Sequence, residues 1–218
     1  MCGALTPSEL LRLSKHTTIR EVPAKTQLVV EEEPVESYAN VLKGVVKLTK
    51  VMLDGRQQIV GLQFAPDFLG RPFEPTSRVG AEAASDVSLC FIPKSTLEAM
   101  LKEQPELEHR LLKQALGELD EARELMLTLG RKTAEEKLAS FLYMIARHID
   151  PVSSEEDGTT STFDLPLTRT DIADFLGLTV ETVSRQLTKL RKADIVRLEN
   201  NRHFHIPDME KLHDISGG

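Results

Sequence analysis

With 218 residues, 40% of them apolar, the chain has enough material for one large domain or two of about a hundred residues each. No run approaches the roughly 18 uncharged residues of a membrane span, and the start lacks a basic-then-apolar leader, so a cytoplasmic protein with no membrane partner is expected. A net charge of −7 argues against indiscriminate binding to polyanions, because nucleic-acid affinity is dominated by phosphate neutralisation.

Taken in order, residues 7–16, PSELLRLSKH, read as a short capped helix. From Thr18 to about Ile92 the pattern changes to short alternating runs, TIREV, TQLVVEE, SYANVLKGVVKLTKVML, RQQIVGLQF and VSLCFI, punctuated at Gly44 and in FAPDFLG. Asp54-Gly55 between two such runs predicts a type I′ hairpin, which needs positive φ at both central residues. These runs predict an antiparallel β-roll or barrel.

From Pro105 to Leu129 the periodicity is helical, and Leu112, Ala115, Leu119, Ala122, Met126 and Leu129 alternate as a and d of a heptad. None of the six is ionisable, so the seam can pair with a second copy without a trigger. The plainer reading is a core helix packed on the roll, because Gly117 weakens the helix and Leu107, Leu116 and Leu127 widen its apolar face. Thr133 to Ile149 reads as another amphipathic helix, with Thr133 and Glu136 as a capping box. Residues 150–162 read as a polar loop, and IVRLENNRHFHI as a hairpin turning at Glu199 to Asn201. His203 and His205 alternate there, but without a third ligand they do not predict a metal site.

The most informative stretch is Thr168 to Lys192. Thr168 can cap a short helix carrying Ile172, Phe175 and Leu176, which Gly177 ends by accepting positive φ. After Leu178, Thr179 is a second N-cap, opening a helix with Val180, Val183, Leu187 and Leu190 on one side. At 100° per residue, Glu181, Ser184, Arg185 and Thr188 fall on another face, roughly 130° round. Two short helices with small Ala173 near the turn make a helix-turn-helix. Arg185 can bond guanine O6 and N7, Glu181 can accept from cytosine N4, and Ser184 can reach a base edge. The bland alternative is a solvated face on which Glu181 and Arg185 form an i,i+4 ion pair worth about 0.2–0.5 kcal/mol. Between Ser184 and His205 six basic residues face two acidic ones, a local +4 that overlaps the motif.

LTVETVSRQL, preceded by PLTRTDIADFLG, resembles the recognition motif of the CRP/FNR superfamily of bacterial transcription regulators, in its FNR/FixK branch. The resemblance implies an α+β chain: β-roll with a short N-terminal helix at 1–104, dimerisation helix at 105–130, winged helix-turn-helix at 131–218. It implies a homodimer that binds double-stranded DNA, contacts RNA polymerase and regulates genes of oxygen limitation, most often as an activator. In that branch Glu-x-x-Ser-Arg reads TTGAT-N4-ATCAA-like palindromes, here through Glu181, Ser184 and Arg185. Thr168, Thr179, Thr182, Thr188, Lys189 and Arg202 complete the expected DNA contacts, with Arg202 and His203 on the wing. A ligand- or haem-gated regulator of other genes is the alternative. No nucleophile with a base, phosphate-cradling glycine loop or metal triad points to an enzyme.

The resemblance also raises two cofactor questions. Nucleotide-binding members place Gly-Glu and Arg-Ser or Arg-Thr pairs around the cyclic phosphate. The corresponding FLGRPFEPTSRVGAEAA has Arg71 and Arg78 but neither pair, so cyclic AMP is not expected. Oxygen-sensing members hold a 4Fe–4S cluster with four cysteines, and Cys2 and Cys90 match two of these positions. Either the native chain extends upstream with two more cysteines, or this member has lost the cluster. The chain as given is expected to hold no cofactor.

Overall fold

A computed structural model describes residues 7–149, 159–200 and 202–217. The chain divides into two compact units, Met1–Ala122 and Arg123–Gly218, with the border inside one long helix.

The first unit contains α1 (Pro7–Ser14), β1 (Thr18–Val22), β2 (Gln27–Val29), β3 (Ser37–Lys43), β4 (Val46–Val51), β5 (Gln57–Gln63), β6 (Phe68–Leu69), β7 (Gly80–Ala83), β8 (Val87–Pro93) and α2 (Lys94–Glu103). It also contains the first part of α3 (Pro105–Arg131). The strands form two antiparallel four-stranded sheets, ordered β1-β8-β3-β6 and β2-β7-β4-β5. Between them lie Ala39, Val41, Val46, Leu69, Ala81, Ala83, Val87 and Leu89, the filled interior of the roll.

Side chains alternate along a strand, so the first sheet carries a second apolar face. Tyr38, Phe68 and Ile92 meet Leu13 of α1, Leu97, Met100 and Leu101 of α2, and Leu107 of α3. The buried Tyr38 hydroxyl donates to Glu98 Oε1 at 2.7 Å, and the Phe73 N–H donates to the same oxygen at 2.8 Å. Burial, reinforced by Glu98, pushes the Tyr38 phenol pKa up. Burial alone would raise Glu98, but those two hydrogen bonds with Lys94 and Lys102 hold its carboxyl below the usual range.

The second unit contains the end of α3, α4 (Ala134–Ile149), β9 (Ser161–Asp164), α5 (Arg169–Leu176), α6 (Val180–Lys192), β10 (Arg197–Glu199), β11 (His203–Ile206) and α7 (Met209–Ile215). The capping box opens α4 as expected: Thr133 N–H donates to Glu136 at 2.6 Å and Glu136 N–H donates to Thr133 Oγ1 at 3.4 Å. Leu138, Phe141, Leu142 and Ile145 of α4 are buried, with Phe141 5.6 Å from the Phe175 ring. A three-stranded sheet, β10-β11-β9, carries the stacked pair Phe163 and Phe204. Among the described residues no helix is long and apolar enough to cross a membrane.

Three sequence expectations change. The β4–β5 loop is Leu53-Asp54-Gly55, closed by Gly55 N–H to Met52 O at 2.9 Å, and only Gly55 has positive φ, +84°. One extra loop residue replaces the type I′ turn with the longer kind that needs a single left-handed position. The expected loop at 150–162 lies outside the described residues through 158, but Ser161 begins strand β9. Its four residues carry too little alternation to be recognised, and its partner β11 lies about forty residues on. The strands β6 and β7 and the helices α2 and α7 were also not anticipated, each being short or closely flanked by another element.

Gly44 and Gly55 have nearly the same positive φ, +85° and +84°, yet a Cβ at Gly44 would sit 2.4 Å from Asp86 O whereas one at Gly55 would meet nothing. Gly55→Ala should therefore cost about 1 kcal/mol and Gly44→Ala about 2–4 kcal/mol, read from the roll's urea unfolding. Equal losses would show that backbone strain, and not the clash, sets both.

Candidate nucleic-acid interface

Two caps and a turn build the candidate surface. Thr168 opens α5 with a reciprocal box: Asp171 N–H donates to Thr168 Oγ1 at 3.1 Å, and Thr168 N–H donates to Asp171 Oδ2 at 2.9 Å. The helix ends at Gly177, φ +60°, where the Gly177 and Leu178 N–H groups both donate to Ala173 O. Thr179 then caps α6, its Oγ1 accepting from Thr182 N–H at 3.2 Å. Ala173 is buried beneath this turn, as a small residue must be for two helices to approach closely.

Along α6, Val183, Leu187 and Leu190 are buried, while Glu181, Ser184, Arg185, Thr188 and Lys189 are exposed. Val180, expected on the apolar side, is 37% exposed because it lies in the first turn, at the edge of the packed stripe. No ion pair joins Glu181 and Arg185 among the described residues. Instead Arg185 Nη2 donates to Thr182 Oγ1 at 3.4 Å. Glu181's own N–H, followed by the Thr179 hydroxyl, holds its carboxyl below the usual range. The carboxylate and the guanidinium therefore project separately.

The remaining predicted contacts are less equal than the sequence suggests. Ser184 Oγ donates to Val180 O at 2.9 Å and Thr188 Oγ1 donates to Ser184 O at 2.9 Å, so each exposed hydroxyl spends its proton on the helix backbone. Lys189 is paired with Glu135 of α4, so a phosphate would have to displace that carboxylate. Thr168 and Thr179 are exposed but occupied with capping, and Thr182 is half-buried. Arg202 is exposed at the start of the wing, and its carbonyl accepts from Leu165 N–H at 2.8 Å. Of the six basic residues in the local balance, Arg197 is forked onto Asp194, with both contacts at 2.9 Å, so the cationic field is weaker than a count of charges implies.

Sequence reasoning missed Arg169 and the Asp164 partner of His203. Arg169 lies 5.8 Å over the Phe204 ring, with its pKa lowered by burial and then by Arg191. His203 Nδ1 lies 2.8 Å from Asp164 Oδ1, across the strand pair that the unforeseen β9 creates.

The heptad seam on α3 is largely open. Leu112, Leu119 and Met126 are 56%, 43% and 68% exposed, Ala115 is exposed, and Ala122 and Leu129 are half-buried. The core-helix reading holds only at the start of α3, where Leu107 and Leu111 pack into the first unit. Cys90 lies half-buried on β8, outside any disulfide, and Cys2 lies outside the described residues.

Comparison with known proteins matches this division. A family model for the cyclic nucleotide-binding domain matches residues 19–104, and one for the Crp-like helix-turn-helix domain matches residues 136–215. A probable transcriptional activator of Rhizobium leguminosarum bv. viciae is 53% identical over 212 residues, covering 97% of this chain and 87% of its own. The transcriptional activator protein FnrL of Cereibacter sphaeroides is 40% identical over 217 residues, covering 100% of this chain and 88% of its own. The structure of FixK2 from Bradyrhizobium japonicum superposes with a TM-score of 0.84 at 32% identity, covering 93% of this chain and 98% of that one. With this roll, this long helix and this helix-turn-helix, the chain belongs to the FNR/FixK branch of the CRP/FNR superfamily of bacterial transcription regulators.

Proposed function

We propose that two copies of this chain bind a palindromic TTGAT-N4-ATCAA-like site and regulate, chiefly activate, genes expressed under oxygen limitation from the cytoplasm. The observation that carries this reading is the outward display of Glu181, Ser184 and Arg185 on a doubly capped helix whose opposite side is buried. A helix fits the major groove, where a guanidinium reads guanine and a carboxylate reads cytosine. A twofold dimer sets two such helices about 34–36 Å apart, one DNA turn. RNA polymerase is the further partner, reached through surface loops of the roll. The relatives' names as transcriptional activators support this assignment, and a transcription regulator is not an enzyme class.

No cofactor enters the proposal. A 4Fe–4S cluster takes four thiolates, of which the described residues supply Cys90 alone, so a cluster belongs only to a chain that carries further cysteines upstream. Arg71 and Arg78 are both exposed, and neither offers a buried guanidinium to a cyclic phosphate, which supports the reading that cyclic AMP is not the effector.

Arg185→Ala should weaken binding to the palindrome by about 1–3 kcal/mol and relax selectivity at one guanine. Titration against the site and its single-base variants checks this; a uniform loss across all variants would reduce Arg185 to a phosphate contact. Lys192→Ala should lower affinity evenly and reduce the salt slope by about one. Sedimentation at micromolar concentration should give a dimer in air and without oxygen alike, and a monomer would remove the twofold reading.

A further inference from the structure

Lys189 is an expected DNA contact whose charge another helix already holds. It stands one turn after Arg185 and two turns after Glu181, on the row of α6 that carries the reading groups. The only carboxylate of α6 itself is Glu181, at the start of the helix. The anion that meets the Lys189 ammonium comes instead from Glu135, in the first turn of α4 and 54 positions earlier.

Two observations bear on what this pair is for. The start of α4 is already closed by the reciprocal bonds of Thr133 and Glu136, so Glu135 is left to reach across to α6. The hold of α4 on the helix-turn-helix also has other members: Lys137 Nζ donates to Leu176 O at 3.3 Å, the Phe141 and Phe175 rings lie 5.6 Å apart, and Val183, Leu187 and Leu190 are buried under α6. The orientation of α6 therefore does not depend on one ion pair at its surface. That pair is open, with the Lys189 side chain 61% and the Glu135 side chain 31% exposed, so it is weak and a phosphate oxygen can reach the ammonium. A carboxylate offers an ammonium what a phosphate offers it, an anionic oxygen that accepts a charge-assisted hydrogen bond.

We infer that Glu135 is an internal stand-in for a DNA phosphate: it occupies Lys189 until the DNA backbone displaces it, and so lowers the affinity of the chain for duplexes of any sequence. The inference rests on the DNA reading above and adds a residue that opposes binding. The opposition has two parts. Exchange breaks the pair, and the released carboxylate then faces the phosphates without a cation beside it. Both act on the backbone contact and not on a base edge, so they fall equally on the palindrome and on unrelated sequence.

A double-mutant cycle on the full chain tests it, with affinities measured for the palindrome and for a scrambled duplex over a range of salt, and thermal melts showing that each variant folds. Glu135→Gln should bind both duplexes severalfold more tightly, with a gain that shrinks as salt rises. Lys189→Ala should cost roughly two- to fivefold more in the Glu135→Gln chain than in the parent, because only the parent has a pair to break. An equal cost of Lys189→Ala in both backgrounds overturns the exchange, since Glu135 would then repel DNA without holding Lys189. Weaker binding by Glu135→Gln also overturns it and makes the pair a strut for α6. A parent that prefers neither duplex would instead overturn the DNA reading.

Discussion

Burial of Val183, Leu187 and Leu190 orients everything else in the second unit. Three aliphatic side chains removed from water contribute about 1.5–3 kcal/mol each, far more than any hydrogen bond or ion pair on the solvent side of the same helix. The rotation of α6 is therefore decided from beneath, and Glu181, Ser184 and Arg185 point outward because the core leaves them no other direction. The caps at Thr168 and Thr179 set where each helix begins, and Gly177 sets the angle between them, so the three groups stand in a fixed relation before any DNA arrives. Rigid presentation matters because each bidentate base contact discriminates only when its geometry is held.

The same economy governs the first unit. One sheet is apolar on both sides: Ala39, Val41 and Leu89 fill the roll while Tyr38 and Ile92 face the helices. The buried Tyr38 hydroxyl finds its acceptor in Glu98, and the hydrogen bonds from Tyr38 and the Phe73 N–H, with Lys94 and Lys102 nearby, hold the Glu98 carboxyl below its usual range. Val46 and Ala83 belong to that interior, while Arg71 and Arg78 are exposed.

Electrostatics then separates the two tasks of the second unit. Lys189 is committed to Glu135 and Arg197 to Asp194, which stiffen α6 and the approach to the wing. Arg185 is held only by a long contact to Thr182 and remains available to a ligand. Of the six basic residues between Ser184 and His205, two are thus engaged within the chain, which lowers the local cationic field in a protein of net charge −7.

Local chemistry made much of this legible in the sequence: a threonine before each helix, a glycine after the first, a 3.6-residue apolar period and a heptad free of charge determine helices, caps and faces without reference to distant residues. The family likeness followed from the same short stretch. Tertiary structure alone decided what depends on residues far apart. It made a strand of Ser161–Asp164 because β11 lies beside it, took Lys189 into a pair with α4, and buried Gln63 against α3 with one acceptor unmet. Periodicity reports which side of a helix is apolar, but hydrogen bonds and ion pairs between remote segments exist only once packing has brought their partners within about 3 Å.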